Sequence, residues 1–172
     1  MINLVEDYYI IWENDFYTIE ATIVRSLWED RVIKSFEKKL KKTVLQILQS
    51  SKAVFLKNNI LISILFSGDK KVAELNKFYR NTNRSTNVLS FPSTQINTKS
   101  KIFLGDIIFS SQTIIEEAKS NNKNLEDHLM HLFIHGVLHL LGYDHETEDD
   151  ATIMETLEIK ILKNINIDNP YK

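Results

Sequence analysis

The sequence predicts one α/β domain of the α+β type: a small mixed sheet of about four strands covered by helices, one of which carries a row of histidines. Three observations point there. Short Ile-rich runs are interspersed with longer amphipathic ones. Neither a repeat nor a linker-like stretch divides the 172 residues. Apolar content of 43% and charged content of 26% are those of a soluble globular chain large enough to bury a core.

The elements follow in order. Ile2 to Ile11 alternates loosely and is rich in Ile and Tyr, which suits a strand. Residues 13–29 read as a helix or an irregular insertion. From Asp30 to Gln49, Val32, Ile33, Phe36, Leu40, Val44, Leu45 and Leu48 keep helical spacing with lysines opposite. Asn59 to Phe66 is a buried strand. Ser67 or Asp69 can cap a helix that turns Val72, Leu75 and Phe78 inward. After a polar loop, Val88 to Phe91 is a strand that Pro92 ends. Ser93 to Lys101 has loop composition, and Ile102 to Phe109 is a third central strand. Ser110 or Ser111 can cap a helix running to about Ser120. Leu125 to Leu141 is the histidine helix. Thr147 caps the last helix, whose first turn holds Glu148, Asp149 and Asp150 and whose apolar positions are Ile153, Met154, Leu157, Ile161 and Leu162.

The stretch HGVLHLLGYDH carries the chemistry. His135 and His139, four residues apart in an apolar run, share one helix face. Gly142 offers a helix stop, so the chain can turn back and bring His145 to the same point. Three neutral imidazoles suit one Zn²⁺, and three protein ligands leave a coordination position open, as catalytic sites do. His139, Gly142 and His145 match the end of the protease signature H-E-x-x-H-x-x-G-x-x-H, but Gly136 stands where the protease needs its general-base Glu. His131 and His128 lie one and two turns before His135; they read as support for a ligand or as structural residues rather than as a fourth ligand. Asp106 and Asp144 are carboxylates that could orient a ligand imidazole, an exposed turn being the plain reading of Asp144. Ser90 and Phe91 could border a groove. Arg80 ends a helix, where its planar fork suits phosphate oxygens; by position alone a surface arginine at a helix C-terminus is the commoner reading.

Bulk properties narrow the field. The chain has no cysteine, so disulfides and thiolate metal sites are excluded. The N-terminal stretch has acids where a signal peptide needs positive charge, and no run reaches a membrane span of about 20 apolar residues; a soluble, cytoplasmic protein is expected. Four glycines cannot build a phosphate-binding glycine loop at the usual spacing. Net charge of −2 argues against a generic polyanion binder. Gly68 to Lys101 nevertheless holds seven basic residues against two acidic, while Asp144 to Glu158 holds seven acids and no Lys or Arg. Solvated faces are the usual meaning of such runs.

Three blocks, LNKFYRNTNRSTNVLSFP (Leu75–Pro92), LGDIIFS (Leu104–Ser110) and HLFIHGVLHLLGYDH (His131–His145), together resemble the YbeY endoribonuclease family of bacterial rRNA maturation factors. The resemblance implies that the zinc ligands are His135, His139 and His145, and that Arg80 and His135 are active-site residues. It also implies an enzyme acting on single-stranded RNA that processes the 3′ end of small-subunit (16S) ribosomal RNA and takes part in ribosome quality control. The implied partners are ribosomal RNA and the small ribosomal subunit, with no membrane and no DNA. Two other functions stay open: a zinc metallopeptidase, disfavoured by Gly136, and a non-catalytic assembly factor whose metal is structural.

Overall fold

The computed structural model describes residues 7–51, 59–94 and 101–172. Its elements are β1 (Tyr8–Glu13), β2 (Tyr17–Ile23), α1 (Asp30–Ser50), β3 (Asn59–Ser67), α2 (Asp69–Arg80), β4 (Val88–Pro92), β5 (Lys101–Ser110), α3 (Ser111–Ser120), α4 (Leu125–Leu140) and α5 (Glu148–Asn164). The predicted first strand began at Ile2, and its residues 2–6 lie outside the described residues, as do residues 95–100 of the predicted loop.

Among the described residues five strands form one mixed sheet in the order β1-β2-β3-β5-β4. The pairs β1–β2 and β4–β5 are antiparallel, and β3 runs parallel to both its neighbours. The expected α+β class therefore holds, with one strand more than the approximate number. The added strand is β2, in place of the helix or irregular chain read at residues 13–29. Its Tyr17, Ile19, Ala21 and Ile23 are buried and alternate with Thr18, Glu20 and Thr22. Asn14 closes the β1–β2 hairpin: its Oδ1 accepts from the N–H groups of Phe16 at 2.8 Å and Tyr17 at 3.2 Å.

Successive residues of β5 face opposite sides, and the core divides accordingly. Ile107 and Phe109 join the main cluster with α1, α4 and α5, whereas Ile108 packs with Val72 of α2 and Leu89 of β4 on the other face. Helix α4 is buried on most sides, through Leu129, Met130, Leu132, Phe133, Ile134, Val137, Leu138 and Leu140. An all-round apolar helix belongs inside a domain. Phe36, Phe66, Phe109 and Phe133 link helices to sheet, the pairs lying 5.1–5.4 Å apart at their ring centroids.

Two glycines fix the approach of α4 and β4. Gly105 has φ +138°, and a Cβ there would lie 2.1 Å from the Phe91 carbonyl oxygen. It sits at a bulge where the β3–β5 register steps past Leu104. At Gly136 a Cβ would come within 3.1 Å of Ser90 Oγ and 3.2 Å of Ile107 Cδ1.

The cap assignments need correction. The residues before α2 and α3 are Gly68 and Ser110, and neither makes a side-chain cap bond. Asp69 acts instead as a clamp: its Oδ1 accepts from Ser85 Oγ at 3.0 Å, from Thr113 Oγ1 at 2.7 Å and from Ser110 Oγ. Burial pushes this carboxyl up, but the hydroxyl donors outweigh it and hold the group below the ordinary Asp value. Thr147 does cap α5, its Oγ1 accepting from Asp150 N–H at 3.1 Å. Phe78, expected inward, is 80% exposed, because Asn76 takes the next buried place after Val72. Ile153 is likewise exposed, leaving Met154, Ile161 and Leu162 as the buried apolar positions of α5.

Candidate metal centre and its cleft

The turn after α4 does what the spacing of the histidines requires. Gly142 adopts φ +88°. Its N–H donates to the His139 carbonyl and the Tyr143 N–H to the Leu138 carbonyl, each at 3.0 Å, the paired bonds of a glycine-terminated helix. The chain reverses, and His145 returns to the helix face. The imidazoles of His135, His139 and His145 each offer a nitrogen, all within 4.8 Å of one another, so the group could hold a metal ion. The rings of His139 and His145 have centroids 5.0 Å apart.

In His135 and His139 the ring nitrogen facing away from this point is engaged. His135 Nδ1 lies 2.8 Å from Glu158 Oε1, and His139 Nδ1 lies 3.0 Å from the Tyr143 carbonyl oxygen. Both oxygens are acceptors, so each Nδ1 carries the proton and each Nε2 presents a lone pair. Those two Nε2 atoms face each other at 3.1 Å. Two lone pairs so placed repel unless a cation lies between them. Zinc holds imidazole nitrogens at about 2.0–2.1 Å, which in a tetrahedral site puts them about 3.3 Å apart. The donor set and its spacing thus fit the metal. Burial, followed by the neighbouring His135 and His145, lowers the His139 pKa, which keeps the ring neutral and ready to ligate.

Glu158 is the residue that sequence reasoning missed. It was counted among the acids of the C-terminal helix, yet it is fully buried on α5. Its Oε2 accepts from His131 Nε2 at 2.7 Å and from the Tyr171 hydroxyl, while Oε1 serves His135. Burial works to raise its pKa, but the hydrogen bonds from His131, His135 and Tyr171 prevail and lower it to about 2. Burial, followed by the contact with Glu158, pushes the Tyr171 phenol up. A sequence signal existed: Glu158 stands four residues after Met154 and three before Ile161, inside the apolar stripe of α5.

The other sequence candidates separate. His131 supports the site through Glu158, and His128 is buried against Glu117 at 2.9 Å, away from the cluster. Asp144 accepts from the His145 backbone N–H at 2.8 Å and orients no imidazole. Asp106 lies opposite Phe91 in the sheet, and the carbonyl of Tyr143 and the carboxylate of Glu158 fill the orienting role considered for it.

Arg80, the last residue of α2, lines the same cleft as His139 and His145. The cleft measures ≈ 550 Å³, and Ser90, Pro92 and Tyr143 also border it. Ser90 thus lies on a groove, as its strand position suggested; its Oγ is buried and makes no hydrogen bond among the described residues. The loop after Arg80 is pinned by Asn76, whose Nδ2 donates to the Arg84 carbonyl at 2.8 Å. Asn81 follows in the left-handed region with φ 54°. Among the described residues no helix is long and apolar enough to cross a membrane.

The family model described as Endoribonuclease YbeY matches residues 27–166. A Bartonella quintana protein described as Endoribonuclease YbeY is 41% identical over 157 residues, covering 90% of this chain and 96% of its own length. Its Bartonella henselae counterpart, of the same description, is 40% identical with the same coverage. A solution structure of a Thermotoga maritima protein shares the fold, with a TM-score of 0.51, 24% identity and coverage of 84% of this chain and 95% of that one.

Proposed function

The chain belongs to the YbeY endoribonuclease family, and on that premise we propose that it cleaves single-stranded RNA at a zinc centre held by His135, His139 and His145. The observation that carries this reading is the meeting of three convergent imidazoles and Arg80 at one cleft. When bound, zinc supplies a Lewis acid that draws electron density from a phosphoryl oxygen. His135 belongs to the active site through that ligation. Glu158 and the Tyr143 carbonyl fix the tautomers of His135 and His139, so the nitrogens aimed at the cleft carry no proton. Arg80 binds phosphate oxygens with its planar fork and offsets the charge that grows on them as the phosphodiester breaks. At Gly136 there is no room for the glutamate of a peptidase without moving Ser90 and Ile107, which favours the nuclease over the protease.

The substrate we assign is small-subunit ribosomal RNA, trimmed towards its mature 3′ end in the cytoplasm, with a role in ribosome quality control. This part rests on the family resemblance in the three blocks around Arg80, Gly105 and the histidines. With a net charge of −2, long-range capture of RNA is weak, so contact with the small ribosomal subunit places the enzyme on its substrate.

The test is to incubate metal-analysed protein with precursor small-subunit RNA and with an unstructured peptide, with and without chelator. The RNA is cut, the peptide is not, and chelation stops cleavage before the circular dichroism changes. Peptide hydrolysis, or cleavage indifferent to chelator, would sink the reading. Unfolding on chelation together with inert RNA would point to a structural metal.

A further inference from the structure

We propose that Phe78 and Tyr79, with Phe91 beside them, form a stacking platform for unpaired RNA bases at the edge of the cleft; this rests on the ribonuclease reading above. Phe78 is 80% and Tyr79 61% exposed, on consecutive positions at the end of α2. Their rings meet edge to face with centroids 4.8 Å apart, and Tyr79 lies 4.8 Å from Phe91 of β4. Exposed rings this large, held against one another, have no role in the apolar core, where α2 is already seated by Val72 with Leu75 against it.

Their neighbours say what the rings would meet. The next residue is Arg80, which lines the cleft. Lys77 precedes them, Arg84 follows in the adjoining loop, and no Asp or Glu occurs between residues 75 and 101. Exposed aromatic faces with Lys77, Arg80 and Arg84 close to them in the chain suit a single-stranded nucleic acid, whose phosphates need positive charge and whose open bases need a π-face. A protein partner would gain from the rings but has less use for three cations close by in the chain, one of which lines the cleft. A duplex keeps its bases stacked internally, so the platform selects unpaired RNA. Since every base has a π-face, it reads sequence only weakly. A phosphate beside Arg80 would then have its adjacent bases laid on Tyr79 and Phe78, which positions the strand for cleavage.

The test compares zinc-loaded wild type, the double variant Phe78→Ala/Tyr79→Ala and Tyr79→Phe. Each is titrated with an unstructured 2′-O-methyl oligoribonucleotide, which cannot be cut, and with an oligomer of equal length and charge bearing abasic sites. Wild type prefers the base-bearing strand by about tenfold or more. The double variant binds both alike with unchanged zinc content, and Tyr79→Phe keeps the preference. Wild type without that preference, or a double variant that retains it, overturns the platform. So does a double variant altered only in its sedimentation mass, which would make the rings a contact between copies of this chain. Cleavage of precursor RNA by wild type is scored separately. A protein that cuts but ignores bases loses the platform and keeps the ribonuclease reading; one that prefers bases but never cuts does the reverse.

Discussion

The two walls of the cleft are made differently. The histidine wall takes His135 and His139 from the most buried helix of the fold, and these two are braced from behind by Glu158 and by the Tyr143 carbonyl. The arginine wall is the exposed end of α2 followed by a loop that Asn76 ties down. Its side chains look into solvent, and its order comes from Asp69 at the far end of the helix. One wall is finished before substrate arrives. The other offers charge and rings whose partners lie outside the protein. The proposed metal site therefore draws its support from the interior of the domain, and the proposed contact with RNA belongs to its surface.

The largest effect should follow from breaking the finished wall. His139→Ala removes one of the two facing lone pairs and should leave no stoichiometric zinc and no detectable RNA cleavage; full zinc by atomic absorption would refute the ligand set. Arg80→Ala tests the other wall. It should keep its zinc yet lose about 10²–10³-fold in kcat, the usual cost of one transition-state charge contact. Wild-type turnover in that variant would remove Arg80 from the chemistry. Glu158→Gln sharpens the contrast, because it leaves every ligand in place and weakens only the bracing. Zinc affinity should fall about 10- to 100-fold, measured against a competing chelator; unchanged affinity would make Glu158 merely a buried ion partner of the histidines.

The smallest effect lies in stability. Asp69→Asn should destabilise the fold by about 1–3 kcal/mol at neutral pH, since it weakens bonds to a charged acceptor. The folded pKa of Asp69 lies below its ordinary 3.8. Its contribution is therefore present above that pH and is lost as the pH falls through the folded value. The gap between wild type and variant in urea melts should close on acidification, and a gap that widened would contradict the clamp.

Legibility followed the same division. His135, His139, Gly142 and His145 were readable because one helix and one turn set their spacing locally. Arg80 was readable as chemistry, but only the packing of α2 across the sheet brings it to the cleft. Glu158 was hidden because it looks like its acidic neighbours, and its meaning depends on α5 lying against α4. Strand β2 was obscured by Glu20 at its centre, which sits on the less buried face. Phe78 fitted a helical stripe that Asn76 in fact interrupts, since an amide able to hold the Arg84 carbonyl outranks an apolar neighbour at that place.

Gly136 has a consequence for descent. The spacing of His139, Gly142 and His145 is that of a peptidase signature, from which this stretch departs by having Gly136 in place of a glutamate. The contact of α4 with Ser90 and Ile107 puts a steric cost on placing one there. A glutamate in that position needs the side chains of Ser90 and Ile107 to give way by a few tenths of an ångström, so a laboratory search for peptide cleavage on this scaffold gains from varying the three positions together.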